Sequence, residues 1–104
     1  MLSIYGVMLD VLRWMKDVMR AIEKRDVDLA KQLRRASSSV VLNIAEGSGS
    51  CGGTRRARYV TALGSARETR ACFDVAVAMG YIDTIDDQML RKLDIVIGTL
   101  VRLV

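Results

Sequence analysis

The sequence predicts an all-α fold, a bundle of four helices, and three observations carry the prediction. Four stretches repeat apolar residues at spacings of three and four, the pattern of a helix with one buried face. No proline interrupts them, so nothing in their composition forces a kink or a stop. Aspartate or glycine clusters separate the stretches near 24–28, 47–53 and 80–84, and short connections of this kind join antiparallel neighbours. A chain of 104 residues is large enough for one core and too small for two, so residues 1–104 are read as a single domain.

In the first stretch Ile4, Val7, Met8, Val11, Trp14, Met15, Val18 and Ile22 share a face, while Asp10, Arg13, Asp17, Arg20 and Lys24 take the opposite side. Arg13 and Asp17 stand one turn apart and are expected to pair, for a few tenths of a kcal/mol on a solvated surface. The helix should end at Glu23-Lys24-Arg25, with Asp26 or Asp28 accepting the orphan backbone N–H groups of the next one. Helix two is expected over 27–46. Leu29, Leu33, Ala36, Val40 and Ile44 make its apolar face, and Arg35, Ser39, Asn43 and Glu46 make a polar row beside it. Ser37-Ser38-Ser39 are poor helix formers but small enough for close packing. Gly47 is the expected stop, and Gly47 to Gly53 reads as a flexible surface loop.

Helix three is expected from Thr54 to Met79, with Tyr59, Leu63, Ala66, Phe73 and Val77 inward and Gly80 as its C-terminal stop. Gly64 costs about 1 kcal/mol against alanine inside a helix, which points to a close helix crossing there. Thr61, Gly64, Ser65 and Glu68 then form a strip facing the polar row of helix two. On this reading Arg35, Asn43, Glu46 and Glu68 are a structural polar network, a buried set of ion pairs that fixes register.

Thr84, with Asp87 three residues on, is the expected capping box of helix four. From Met89 onward most residues of that helix are apolar, and Arg91, Asp94, Gly98 and Arg102 make one narrow stripe along it. One bundle core does not need so much apolar surface, and monomers rarely leave large patches open. A homo-oligomer is therefore expected, with Leu93, Ile97, Leu100, Val101 and Val104 at the subunit interface. The alternative, a helix lying on a membrane surface, is weakened by a polar stripe that carries only two basic residues.

Sixteen basic and twelve acidic residues give a net charge of +4, and the excess is concentrated. Residues 31–70 hold Lys31, Arg34, Arg35, Arg55, Arg56, Arg58, Arg67 and Arg70 against Glu46 and Glu68 alone. Arg34, Arg55, Arg56, Arg58, Arg67 and Arg70 are the candidate nucleic-acid-binding residues, able to displace counterions from phosphates; arginines that merely solubilise helix surfaces are the plainer explanation. Tyr59 is the one aromatic near them, too little for base stacking, so binding of RNA or DNA would be independent of sequence.

Enzyme chemistry finds little to work with. Histidine is absent, which removes the commonest general base and the di-iron Glu-x-x-His bundle motif. Gly47 to Thr54 comes within one residue of a phosphate-binding loop, but Gly53 occupies the lysine position and a helix precedes it where a strand is required. Glu46 and Glu68 are better explained by an internal salt bridge with Arg35 than by a shared magnesium ion. No catalytic residue, metal or cofactor is expected. Cys51 and Cys72 lack the spacing of a metal knuckle or redox pair, and no disulfide is expected. Charges interrupt Met1 to Ile22 and no uncharged run reaches a membrane span, so a cytoplasmic protein with no membrane partner is expected.

Leu33-Arg34-Arg35-Ala36, Asn43-Ile44-Ala45-Glu46-Gly47, Leu63-Gly64-Ser65-Ala66-Arg67-Glu68 and Gly80-Tyr81-Ile82 occur in that order across nearly the whole chain. In these strings the sequence resembles the 23S ribosomal RNA intervening-sequence proteins, a four-helix-bundle family to which the accessory variability proteins of diversity-generating retroelements are related. The resemblance implies an up-down-up-down bundle assembling as a ring, typically a pentamer. For the retroelement branch it also implies a basic surface that meets nucleic acid and a reverse transcriptase. Thr69-Arg70 stands where relatives carry a leucine and an acid, and the turn after Gly47 is richer in glycine than theirs. A protein-interaction scaffold without nucleic-acid binding is the other function this resemblance accommodates.

Overall fold

In the computed structural model, which describes residues 3–104, Ser3 accepts the backbone N–H of Gly6 at 3.4 Å and caps the first helix. Met1 and Leu2 of the single domain expected over 1–104 lie outside the described residues. Four helices follow: α1 (Ile4–Glu23), α2 (Val27–Ser48), α3 (Gly52–Ala78) and α4 (Asp87–Leu103). The described residues contain no strand. Helix α1 packs on α2, α2 on α3, α3 on α4 and α4 back on α1, a four-helix bundle measuring 42 × 25 × 19 Å. The broadest contact is between α2 and α3. Ion pairing at 46–58 and hydrogen bonding at 39–65 show that their contacts descend one helix while ascending the other.

The apolar faces seen in the sequence are the ones buried. Met8, Val11, Met15 and Ile22 of α1, Leu33, Val40 and Ile44 of α2, Phe73 of α3, and Leu93, Val96 and Leu100 of α4 are shut away in one hydrophobic cluster. Trp14 lies half-buried against it, edge-on to Phe73 with ring centroids 5.8 Å apart. Asp26 is the N-cap of α2, its Oδ1 accepting the Leu29 N–H at 2.9 Å. Its Oδ2 accepts the Tyr81 hydroxyl at 3.1 Å, tying the α1–α2 turn to the α3–α4 connection. Helix α3 ends in a Schellman turn: Gly80 has φ +74°, its N–H bonds the Val77 carbonyl and the Tyr81 N–H bonds that of Ala76.

Several expectations are corrected. Gly47 does not stop α2, which runs two residues past Glu46 to Ser48, and α3 begins at Gly52. The loop expected over 47–53 shrinks to Gly49, Ser50 and Cys51. Glycine is required at Gly47 because the Tyr59 ring lies where a side chain would be. Helix α4 is capped by Asp86, whose Oδ1 accepts the Gln88 and Met89 N–H groups, and not by Thr84. Val77 is exposed. Gly64 faces outward, and nothing lies within 4 Å of where a Cβ would stand, so no close crossing occurs there. Arg13 pairs with Asp10 at 2.8 Å, while Asp17 lies 3.8 Å from Arg20.

The buried network is also corrected. Arg35, Glu46 and Glu68 are exposed and Asn43 is half-buried. Midway along α2 and α3 the polar contact is between Ser39 and Ser65, hydroxyl to hydroxyl at 2.8 Å, with Asn43 donating to the Ser39 carbonyl and hydroxyl. Each four-residue step along a helix overshoots a full turn by about 40°, so the row spirals away from the core between Asn43 and Arg35.

Asp10 links α1 to α4 by accepting from Lys92 Nζ at 3.2 Å while Arg13 donates to its other oxygen. The Lys92 contact, more than Arg13, holds its carboxyl below the ordinary value of 3.8. A carboxyl lowered on folding stabilises the native state above that ordinary value, and the contribution disappears as pH falls through the lower folded one. The gap in urea midpoint between the parent and Asp10→Asn is thus expected to narrow as pH drops below about 4. A gap independent of pH between about 2 and 6 would remove this assignment.

Candidate functional site

The turn between α2 and α3 is built by its own polar groups. Arg55 Nε donates to the carbonyls of Gly47 (3.2 Å) and Ser50 (2.8 Å), and the Ser50 hydroxyl donates to the Glu46 carbonyl. The bonds to Glu46 and Gly47 occupy carbonyls that the last turn of α2 cannot pair within the helix, and the bond to Ser50 holds the turn that follows. The sequence makes Arg55 a candidate for binding phosphates; in the structure it braces the turn.

The remaining candidate arginines divide into two sets. Arg58 Nε lies 3.0 Å from Glu46, Arg34 Nη2 lies 3.4 Å from Glu23, and Arg70 Nη1 lies 2.6 Å from Asp94 with Asp74 at 3.9 Å. All are partly exposed pairs of the kind that contributes about 0–1 kcal/mol, and each reduces the charge offered to solvent. Arg56 and Arg67 are exposed, and among the described residues neither has a carboxylate within 4.0 Å. Eleven residues apart on α3, they share a helix face about 16 Å from end to end. Val60 and Val75 are exposed on the same helix.

A groove between α1 and α2 brings in cations that the sequence does not group with these. It encloses about 360 Å³ and is lined by Lys16, Met19, Arg20, Glu23 and Arg34. The available signal is the i, i+4 spacing of Lys16 and Arg20 on the polar face of α1, but only the α1–α2 register places Arg34 opposite them.

Of the residues expected between subunits, Leu93 and Leu100 are fully buried in the chain's own core, which removes them from any surface a second subunit meets. They lie on the side of α4 turned to α1 and α3. Ile97 is half-buried, while Val101 and Val104 are exposed together with Ile95 and Leu103. Open apolar surface on α4 is therefore confined to one flank and the C-terminal turn.

Among the described residues no group of three potential metal ligands comes together, and no helix is long and apolar enough to cross a membrane. Cys51 is exposed in the turn and Cys72 buried. Burial, followed by the nearby charge of Glu68, pushes the Cys72 thiol up, which keeps it protonated and weakly nucleophilic. A family model described as 23S rRNA-intervening sequence protein matches residues 3–102. No curated protein and no solved structure matches the chain.

Proposed function

The chain belongs to the 23S rRNA-intervening sequence protein family, and from that premise we propose that it is a non-catalytic, self-associating accessory module that holds nucleic acid by its phosphates. The observation that carries the proposal is the pair Arg56 and Arg67, exposed on one face of α3 without carboxylates within 4.0 Å among the described residues. Arg55, at the α2–α3 turn, and Arg58, partly offset by Glu46 at 3.0 Å, add to that charge. A single small basic domain binds a polyanion weakly. Several copies in one assembly multiply the phosphate contacts and steepen the salt dependence.

The proposed subunit is an up-down-up-down antiparallel bundle, and the proposed assembly a ring, a pentamer in keeping with the family resemblance. Exposed Ile95, Val101 and Leu103 on α4 supply its apolar contact. A reverse transcriptase is the protein partner that the retroelement resemblance adds to this reading. A scaffold that meets an acidic protein surface is the second reading, favoured by the engagement of Arg34, Arg55, Arg58 and Arg70 inside the chain.

The test is one salt titration of a labelled duplex, followed by anisotropy with the mass tracked by light scattering. Arg56→Ala with Arg67→Ala is expected to weaken binding at least tenfold at low salt. It should also flatten the log–log salt slope by about 1.8 on each subunit engaged, at roughly 0.9 for each phosphate no longer neutralised, with the mass unchanged. Val101→Asp is expected to lower the mass. An oligomer that ignores nucleic acid at low salt would transfer support to the scaffold reading, and a monomeric parent would end the assembly proposal.

A further inference from the structure

We propose that the α1–α2 groove is a second phosphate site, separate from the α3 arginines, which seats the backbone of a single-stranded nucleic acid against Lys16, Arg20 and Arg34. The inference rests on the nucleic-acid reading of the α3 face and adds a place and a strand state to it. The groove's lining contains three cations and one carboxylate. Lys16 and Arg20 stand one turn apart on α1, about 6 Å along the axis, and Arg34 reaches across from α2. Glu23 Oε2 meets Arg34 through a single terminal nitrogen at 3.4 Å. That contact orients the guanidinium and leaves its other donors for an anion. Asp17 approaches Arg20 only to 3.8 Å and its side chain is 94% exposed, so this pair competes weakly with a phosphate.

Met19, half-buried against the core, gives the groove an apolar floor. A polarizable thioether adapts to the face of a sugar or base without selecting one. The volume of about 360 Å³ falls at the small end of clefts that hold compact ligands, about 300–1,000 Å³. That suits one nucleotide unit, with the phosphates on either side of it along the strand reaching the cations at the rim, and not the width of a duplex. Among the described residues no aromatic lines it, so no base stacking is expected and the affinity should come from the phosphates.

The probe is a fluorescein-labelled oligothymidine of about 15 nucleotides, titrated against the full chain at several salt concentrations. Lys16 and Arg20 are exposed, and glutamine is a comparable helix former, so Lys16→Gln with Arg20→Gln is expected to melt like the parent. It should flatten the single-strand salt slope by about 1.4 per groove engaged, at roughly 0.7 for each phosphate no longer neutralised, and leave duplex binding unchanged. Arg34→Gln, placed on the other helix, should flatten it by about half as much. If neither variant moves the single-strand slope while Arg56→Ala with Arg67→Ala does, the groove assignment is overturned and the α3 reading stands. Equal losses for strand and duplex would overturn the single-strand assignment, and a parent that binds neither at low salt would overturn both proposals.

Discussion

Replacing Phe73 by alanine is expected to lower the unfolding free energy by about 3–5 kcal/mol, the usual cost of removing a fully buried aromatic side chain. Phe73 is 1% exposed and is the largest fully buried side chain among the described residues. Its ring meets the edge of Trp14 at an interplanar angle of 84°, an arrangement that adds about 0.5–1.5 kcal/mol to area burial alone. Domains of this size are stable by about 5–15 kcal/mol, so the variant would lose a large part of the total. A fall in melting temperature of at least about 12 °C follows. Trp14 is the only tryptophan, which makes its fluorescence a local probe of the same packing. It should shift in native Phe73→Ala protein, and Phe73→Leu should recover about half of the lost stability. A loss below about 1 kcal/mol would mean that α3 does not present this face to α1.

How far the fold is legible in the sequence follows from which signals are local. The apolar faces of α1 and α2 are readable because residues such as Leu29, Leu33, Val40 and Ile44 are separated from polar ones by helical period alone, and all four are buried. Asp26 and Gly80 are readable as punctuation because a carboxylate cap and a left-handed turn are properties of a few consecutive residues. Gly47 misleads for the opposite reason. Glycine signals a stop when only the sequence is considered, yet here it continues the helix and is made necessary by an aromatic ring from the next one. Gly64 misleads in the reverse sense: its cost inside a helix suggests a crossing, but it lies on the outer face.

The candidate site is legible as composition and not as geometry. Counting arginines locates the excess of positive charge on α2 and α3. It does not foresee that Glu46 meets Arg58, or that Asp94 meets Arg70 from α4, because both depend on register between helices. The same holds for Lys16 and Arg20, which become neighbours of Arg34 only when α1 and α2 pack. On α4, an apolar stretch long enough to suggest two partners contains residues for both an inner and an outer face. Leu93 and Leu100 belong to the first and Val101 to the second.

The second large effect is expected at Gly47. Alanine in place of glycine ordinarily strengthens a helix by up to about 1 kcal/mol, so α2 by itself would gain from Gly47→Ala. In the folded chain the added Cβ would lie 2.6 Å from Tyr59 Cε1 and 2.8 Å from its Cδ1, closer than carbon atoms approach without displacement. Tyr59 is 9% exposed and its hydroxyl lies 3.4 Å from the Ser48 hydroxyl, so the ring cannot swing away without disturbing the α2–α3 junction. Overpacking of this kind costs about 1–3 kcal/mol, and a net loss of stability is expected despite the better helix former. The sign should depend on the ring. In a Tyr59→Ala background, itself destabilised by the missing aromatic packing, Gly47→Ala is expected to be neutral or stabilising. The coupling between the two substitutions should then reach about 1 kcal/mol or more in a double-mutant cycle. Additive effects would show that Gly47 is retained for reasons other than the approach of Tyr59, and the close contact between α2 and α3 at this end would lose its support.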